Sequence, residues 1–308
     1  MKQIIQPVPN ELLEKELNEE TFARKTNNAD NEIYIVNHHN APNVMLEIGR
    51  LRELAFRYAG GGTGKEADID VYDTAEEPYQ QLVVWDPDRK EILGGYRFIL
   101  GNKAPKDSHG KLLIATRGLF EFSDKFKKEF FPKTIELGRS FVQPDYQSSK
   151  MGRKSLFALD NLWDGLGYLI VNNPEMEYFF GKVTMYTHFN KKARDLILYF
   201  MKKHFPDNDS LVYPREPLPY HNPESYMESI LTEDDYKLDH KLLSKAVRNL
   251  GENIPPLINS YMNLSPTMRS FGTAMNYKFG EVEETGILVT INDIYPQKKE
   301  RHINSLKK

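Results

Sequence analysis

Two apolar stretches carry charge at their centres. ILGGYRFIL, over 92–100, holds Arg97, and IELGRSFV, over 135–142, holds Glu136 and Arg139. Both read as strands from their β-branched and aromatic content. A charge taken into a sheet costs several kcal/mol unless it is paired, so such residues are partnered or functional. A buried pair, for example Glu136 with Arg97, is one account of them. Residues three apart on a regular strand point to opposite faces. Glu136 and Arg139 therefore meet at one site only if the strand carries a bulge, and Gly138 between them permits one. Upstream, EADIDVYD clusters Asp68, Asp70 and Asp73 just before the first strands. That grouping suits recognition of an ammonium, and it also suits an exposed loop.

The order of elements sets the fold class. Residues 1–43 read as an N-terminal arm and loop. A helix is expected after Asn43 as its cap, with Val44, Ile48, Leu51, Ala55 and Tyr58 near helical spacing, ended by Gly60-Gly61-Gly62. A hairpin follows (81–85 and 92–100), then the strand 135–142, a long helix from about 153 to 170, a strand at 178–186 and a helix around Ala193–Phe200. Residues 206–253 read as a partly helical insertion, with one helix over about 236–250. Another helix begins near Pro255-Pro256, and GILVTI (286–291) is a late strand. This order predicts an α/β (α+β) domain over 44–308, with a mixed sheet and helices on both faces.

Composition removes several functions. A net charge of −3 offers no basic field for nucleic acid, and the absence of cysteine excludes disulfides, thiolate nucleophiles and cysteine-ligated zinc. No signal-peptide core or membrane-length apolar run is present. A cytoplasmic location is expected, with the membrane a surface to visit rather than cross. The segment GGGTGKE (60–66) imitates a phosphate-binding P-loop, but Ala59 replaces the first glycine and Glu66 the Ser/Thr, and it follows a helix instead of a strand. It is read as a plain connection. No metal ligand set or GxSxG elbow appears.

The loop over 142–155 carries more information. A strand ends at Val142, and Gln147 to Gly152 leads to Arg153-Lys154-Ser155 at a helix start. Unpaired N–H groups beside the positive end of a helix dipole make an anion site, to which Lys150, Arg153 and Lys154 add charge. A phosphate or pyrophosphate on a pantetheine arm would fit. An ordinary helix start with solvated basic residues has the same sequence.

Strand, Q-x-x-x-x-G-[RK] loop, long helix, strand and helix together resemble the acyl-donor-binding core of the GNAT superfamily. LRELAFRYAG (51–60), DIDVYD (68–73), YQQLVVWD with GGYRF (79–98), ELGRSFVQPDYQ (136–147), FFGKVTMY (179–186) and the block 254–294 resemble its long-chain N-acyl amino acid synthase branch. That branch includes ornithine-lipid and glycine-lipid N-acyltransferases and is related to acyl-homoserine-lactone synthases. One departure is that Lys150 occupies the first glycine position of the family's pyrophosphate loop, which leaves Gly152 alone.

The resemblance implies a mostly antiparallel GNAT-like sheet whose splayed strands form the acyl-donor cleft. It also implies direct attack of an amine on a thioester, with no permanently bound cofactor. Glu136 would orient the amine and accept its proton, with a pKa raised by burial. Arg139, also placed in the catalytic site, would bind a carboxylate on the acceptor or anchor the acidic loop. Arg97, Asp70, Asp73 and Arg52 would bind the acceptor, with Arg97 alternatively anchoring the acidic loop through Asp70 or Asp73. Val142, Gln147, Lys150, Gly152, Arg153 and Lys154 would hold the donor, an acyl-CoA or an acyl carrier protein. An acidic carrier would meet Lys150, Arg153 and Lys154, and also Lys191, Lys192 and Arg194. The acceptor implied is a small amino acid, glycine first. The long helix, with Leu156, Phe157, Leu159, Leu162, Trp163 and Leu166, would flank an acyl tunnel or serve as plain core. Rival readings are a signal synthase with S-adenosylmethionine as acceptor and a non-catalytic acyl-carrier or lipid-binding protein.

Overall fold

The computed structural model describes residues 1–147 and 153–303, the side chains of 153–156 excepted. In chain order its elements are α1 (Asn10–Glu16), β1 (Phe22–Lys25), β2 (Glu32–Val36), α2 (Pro42–Tyr58), β3 (Gln80–Asp86), β4 (Glu91–Leu100), β5 (Phe120–Phe122), β6 (Thr134–Val142), α3 (Pro144–Gln147) and α4 (Arg153–Asn172). There follow β7 (Tyr178–Met185), α5 (Lys191–His204), β8 (Val212–Pro214), α6 (Glu224–Glu228), α7 (Tyr236–Asn249), α8 (Pro256–Met262), β9 (Arg269–Asn276), β10 (Val282–Thr290) and α9 (Pro296–His302). Eight strands form one sheet in the order β1-β2-β3-β4-β6-β7-β10-β9, and β5 pairs with β8 separately. Every neighbour in the large sheet is antiparallel except β6 and β7. The mixed, mainly antiparallel sheet expected from the sequence is therefore present.

Period-2 alternation along β3 shows how the sheet is covered on both sides. Leu82 and Val84 join a large apolar cluster with Leu162, Leu166 and Leu169 of α4 and Leu196 and Ile197 of α5. Val83 and Trp85 turn the other way, onto Leu13 of α1 and Val44, Met45, Ile48 and Leu51 of α2. Phe120, Phe126, Phe131, Phe180 and Phe271 form a third, aromatic cluster beside β5 and β8.

Two expectations need correction here. Residues 1–43 are not a detached arm and loop, because α1 packs with α2 and β1 and β2 extend the sheet beyond β3. Their short, mixed strands, FARK and EIYIV, give too few residues for a clear alternation. Nor is Asn43 the cap of α2. The helix starts at Pro42, and Glu16 of α1 accepts from the Val44 N–H at 2.8 Å. A carboxylate brought from another element thus does the capping. Strand β9, which lacks a legible apolar period, was not anticipated at all.

Strand β4 is squeezed between two backbones. A Cβ on Gly94 would stand 2.4 Å from the Phe141 carbonyl oxygen, and one on Gly95 2.5 Å from that of Leu82. Neither obstacle is a side chain that can swing away. Gly95→Ala should therefore lower stability by about 1–3 kcal/mol through backbone displacement, measured by urea unfolding against wild type.

Candidate active site

Strands β6 and β7 run parallel for only three residue pairs, Thr134–Tyr178 to Glu136–Phe180, although β6 continues to Val142 and β7 to Met185. Beyond that point they part and leave a cleft that opens to solvent. The strand alternation gives it two characters. Leu137, Phe179, Ile287 and Val289 line it from the face of the large apolar cluster, with Leu257 and Tyr261 of α8 beside them. Arg139, Lys182, Thr184 and Glu284 line it from the other face. Such a cleft can take a molecule with an apolar end and a polar end.

The bulge expected in β6 is present. Register along β4 and β6 passes from Gly95–Phe141 to Arg97–Gly138, so β6 spends one residue more than its partner. Arg139 itself, not Gly138, takes the left-handed backbone, at φ +50°. A non-glycine residue there costs on the order of 1–3 kcal/mol and persists only when its surroundings hold it. What holds it is its side chain, ion-paired with Asp68 at 2.7 Å and near Asp70 at 3.8 Å, with its guanidinium 4.3 Å from the Phe279 ring centre. The bulge turns Glu136 and Arg139 to one face of the sheet.

Arg139 belongs to a buried network of three guanidiniums and three aspartates. Arg97 meets Asp70 at 2.8 Å and Asp73 at 3.1 Å, and Arg52 meets Asp73 at 3.4 Å while donating to Gln81. Asp68, Asp73 and Arg52 have no exposure. Burial opposes the charges of Asp73, Arg97 and Arg52, and its balance with their partners differs among the three. Burial would raise the Asp73 carboxyl, but Arg97 and Arg52 hold it well below the usual carboxylate range. Burial would lower Arg97, but Asp73 and Asp70 hold it above its ordinary value. At Arg52 burial wins over Asp73 and Asp68, and the guanidinium is lowered. The acidic segment is thus not an exposed loop. Its carboxylates, with Arg97 and Arg139, tie residues 68–73 to β4 and β6.

Glu136 lies on the same face but is enclosed, at 1% exposure. It accepts a short hydrogen bond from the Tyr79 hydroxyl and one of 3.2 Å from the Thr116 N–H. Burial pushes its carboxyl up, against the hydrogen bonds of Tyr79 and Thr116 and the charge of Arg97. The raised pKa agrees in direction with the expectation, but the carboxylate is enclosed and does not line the cleft. Among the described residues the carboxylate lining the cleft is Glu284. Nor is Glu136 paired with Arg97, whose partners are the aspartates.

Glu284 was missed in the sequence, as was its partner. The Lys182 ammonium donates to its Oε1, Asn276 Nδ2 donates to Oε2 at 3.0 Å, and the Thr184 hydroxyl lies at 3.4 Å. Burial pushes the Lys182 ammonium down, countered by Glu284 and reinforced by Arg139. The available signal was Lys182 inside FFGKVTMY, a charge within an apolar strand like the three that were recognised. Tyr79, at the head of YQQLVVWD, and Thr116 are uncharged and gave no such signal.

On the donor side, α4 begins at Arg153, and Gln147 Nε2 donates to the Val142 carbonyl at 2.6 Å. Lys150 and Gly152 lie outside the described residues, as do the side chains of Arg153 and Lys154. Arg194 does not belong with a carrier-facing surface. It is buried between Glu283 at 2.6 Å and Asp195 at 2.7 Å. Leu162 and Leu166 of α4 are core residues, and the apolar side of the cleft is lined by Leu137, Phe179, Ile287 and Val289 of the strands with Leu257 and Tyr261 of α8. In GGGTGKE the Thr63 and Gly64 N–H groups donate to Glu53 at 3.0 and 2.7 Å, so they are spent on a carboxylate of the chain itself.

Removing one member of a buried ion network leaves its partners uncompensated. Asp73→Asn should cost about 3–5 kcal/mol at neutral pH, measured by denaturant unfolding. The pH dependence has a definite sign. Asp73 is held below its unfolded value of 3.8, so its stabilisation is complete above that range and is lost as pH falls through the folded value. The gap between wild type and variant should therefore narrow below about pH 4.

The family model for the acetyltransferase (GNAT) domain matches residues 51–155. A glycine N(alpha)-acyltransferase of Bacteroides thetaiotaomicron is 57% identical over 305 residues, covering 99% of this chain and 90% of the relative. A protein of the same name from Phocaeicola vulgatus is 56% identical over 308 residues, covering 100% and 94%. Among solved structures the acyl-homoserine-lactone synthase LasI is 14% identical, with a TM-score of 0.31 over 50% of this chain and 72% of its own, too slight a likeness to carry weight. The chain belongs to the GNAT superfamily, in the N-acyl amino acid synthase branch with these two relatives, and is an acyltransferase.

Proposed function

We propose that this chain transfers a long-chain fatty acyl group from a pantetheine thioester, on acyl carrier protein or coenzyme A, to the amine of glycine in the making of an aminolipid. The observation that carries the reading is the two-faced cleft where β6 and β7 part. Its apolar side suits an acyl chain and its ionic side a small zwitterion. The names of the two relatives, which align over nearly their whole lengths, support glycine as acceptor.

In this reading the thioester carbonyl lies against the bulge of β6. Arg139 and Ser140 lie where the β4–β6 register shifts, and backbone N–H groups of that bulge would stabilise the oxyanion. The amine nitrogen bonds to the carbonyl carbon, the carbon–sulfur bond breaks, and the amine's proton leaves to a base while the thiolate departs as the thiol. Glu136 acts as a positioning residue. Its carboxyl holds Tyr79, whose ring lies 5.1 Å from the Arg97 guanidinium, so it bears on the network that fixes the acidic segment. Arg52, Arg97, Asp70 and Asp73 shape the acceptor side through the same network. Val142 and Gln147 shape the start of the donor loop, whose Lys150, Gly152, Arg153 and Lys154 receive the donor's phosphate or an acidic carrier. No described helix is long and apolar enough to cross a membrane, so contact with the bilayer that receives a lipid product would be peripheral.

Purified protein given short- and long-chain acyl donors on carrier protein and on coenzyme A, with mixed amino acids, should form long-chain N-acylglycine, read by mass spectrometry. Acetyl transfer alone would contradict the long-chain assignment. Release of methylthioadenosine when S-adenosylmethionine is supplied would point to a signal synthase.

A further inference from the structure

The arginines of the site are committed. Arg52 and Arg97 are buried against aspartates, and Arg139 is spent on Asp68 and on holding its own strained backbone. An amino-acid acceptor nevertheless brings a carboxylate as well as an amine into the cleft, and each must find a partner once water is excluded. The cleft holds another pair of opposite charges, Lys182 and Glu284. They sit on adjacent strands in register, with Lys182 opposite Gly286 and Thr184 opposite Glu284. Both line the cleft on its ionic face.

The Lys182 ammonium has three N–H groups, and Glu284 Oε1 takes one of them. Glu284 is held in place from the far side by Asn276. The pair is therefore oriented and charge-balanced without ligand. A zwitterion matches it charge for charge, with its ammonium on Glu284 and its carboxylate on Lys182. We infer that Lys182 receives the carboxylate of the acceptor and Glu284 its amine, so that this pair selects amino acids over simple amines.

The assignment rests on the N-acyltransferase reading and adds to it the group that recognises the acceptor and the group that takes its proton. The bound ammonium first gives one proton to solvent and becomes the free amine. Glu284 then accepts a second proton as the nitrogen–carbon bond forms, and it returns that proton to the thiolate as the carbon–sulfur bond breaks. No co-reactant is needed. Burial supports the division of labour. A lysine in this setting keeps its charge only beside an anion, so when Glu284 turns to the amine a second carboxylate has to take its place, and the acceptor brings one. Amines without a carboxylate leave Lys182 unpaired and pay for it in the transition state.

The test compares glycine with glycinamide at a fixed long-chain acyl donor, with wild type, Lys182→Met, Lys182→Arg and Glu284→Gln. Wild type should prefer glycine in kcat/KM by roughly tenfold or more, the discrimination expected when a site's polar group is left unpaired. Lys182→Met should lose far more kcat/KM on glycine than on glycinamide, mainly through KM, so that the ratio collapses towards one. Lys182→Arg should restore much of the preference. Glu284→Gln should lower kcat for both acceptors. Should Lys182→Met fail to fold, thermal-shift protection of wild type and Lys182→Arg by glycine, with none by glycinamide, is the expected result, and equal protection by both contradicts the assignment. Equal use of the two acceptors by wild type overturns the role of Lys182 while the acyltransferase reading stands. Failure of wild type to acylate any amine, with glycine binding retained, defeats that reading instead.

Discussion

Parallel strands normally share hydrogen bonds along their whole length, and β6 and β7 do so for three residue pairs before they separate. Backbone groups on the parted edges then need other partners, since unpaired N–H and C=O groups are costly in a protein interior. A ligand with amides of its own can supply them, in the way an extended peptide adds to an open sheet edge. A pantetheine arm is such a ligand. The parting also joins the two faces of the sheet, so an apolar chain on one side can reach a polar partner on the other. Without it there would be a continuous sheet and no site.

The ion network keeps the parting in one geometry. Three arginines and three aspartates tie the 68–73 segment to β4 and to the bulge of β6, and the left-handed Arg139 is part of that tie. Buried ion pairs are weak contributors to stability compared with well-packed apolar groups, because their desolvation offsets their attraction. Their use here is positional. They hold a strained strand beside a cleft whose walls must not close, and the raised carboxyl of Glu136 sits behind that strand with Tyr79 in the same role.

Much of this was legible in the sequence, for a physical reason. Charges within apolar strands are expensive enough to be conspicuous, so Arg97, Glu136 and Arg139 stood out, and the odd spacing of the last two made a bulge the condition for their sharing a site. Lys182 sits in FFGKVTMY with the same signature, but its partner Glu284 precedes GILVTI at the end of a strand where a carboxylate looks ordinary. The distance of 102 residues between them conceals the pair. Long, periodic helices such as α4 and α5 were readable because apolar spacing repeats over several turns. β1, β2 and β9 were not, since four to eight residues of mixed character do not establish a period. The capping of α2 by Glu16 depends on contact between elements and has no local trace.

The central claim is that the donor occupies the space between the parted strands. A crystal structure with a non-hydrolysable thioether analogue of a long-chain acyl-pantetheine, in the presence of glycine, tests it most directly. The account predicts the pantetheine along Gly138–Ser140 of β6, the sulfur beside the bulge, and the acyl chain running towards Leu137, Phe179 and Tyr261. An analogue bound elsewhere, with β6 and β7 closed on each other, would contradict it.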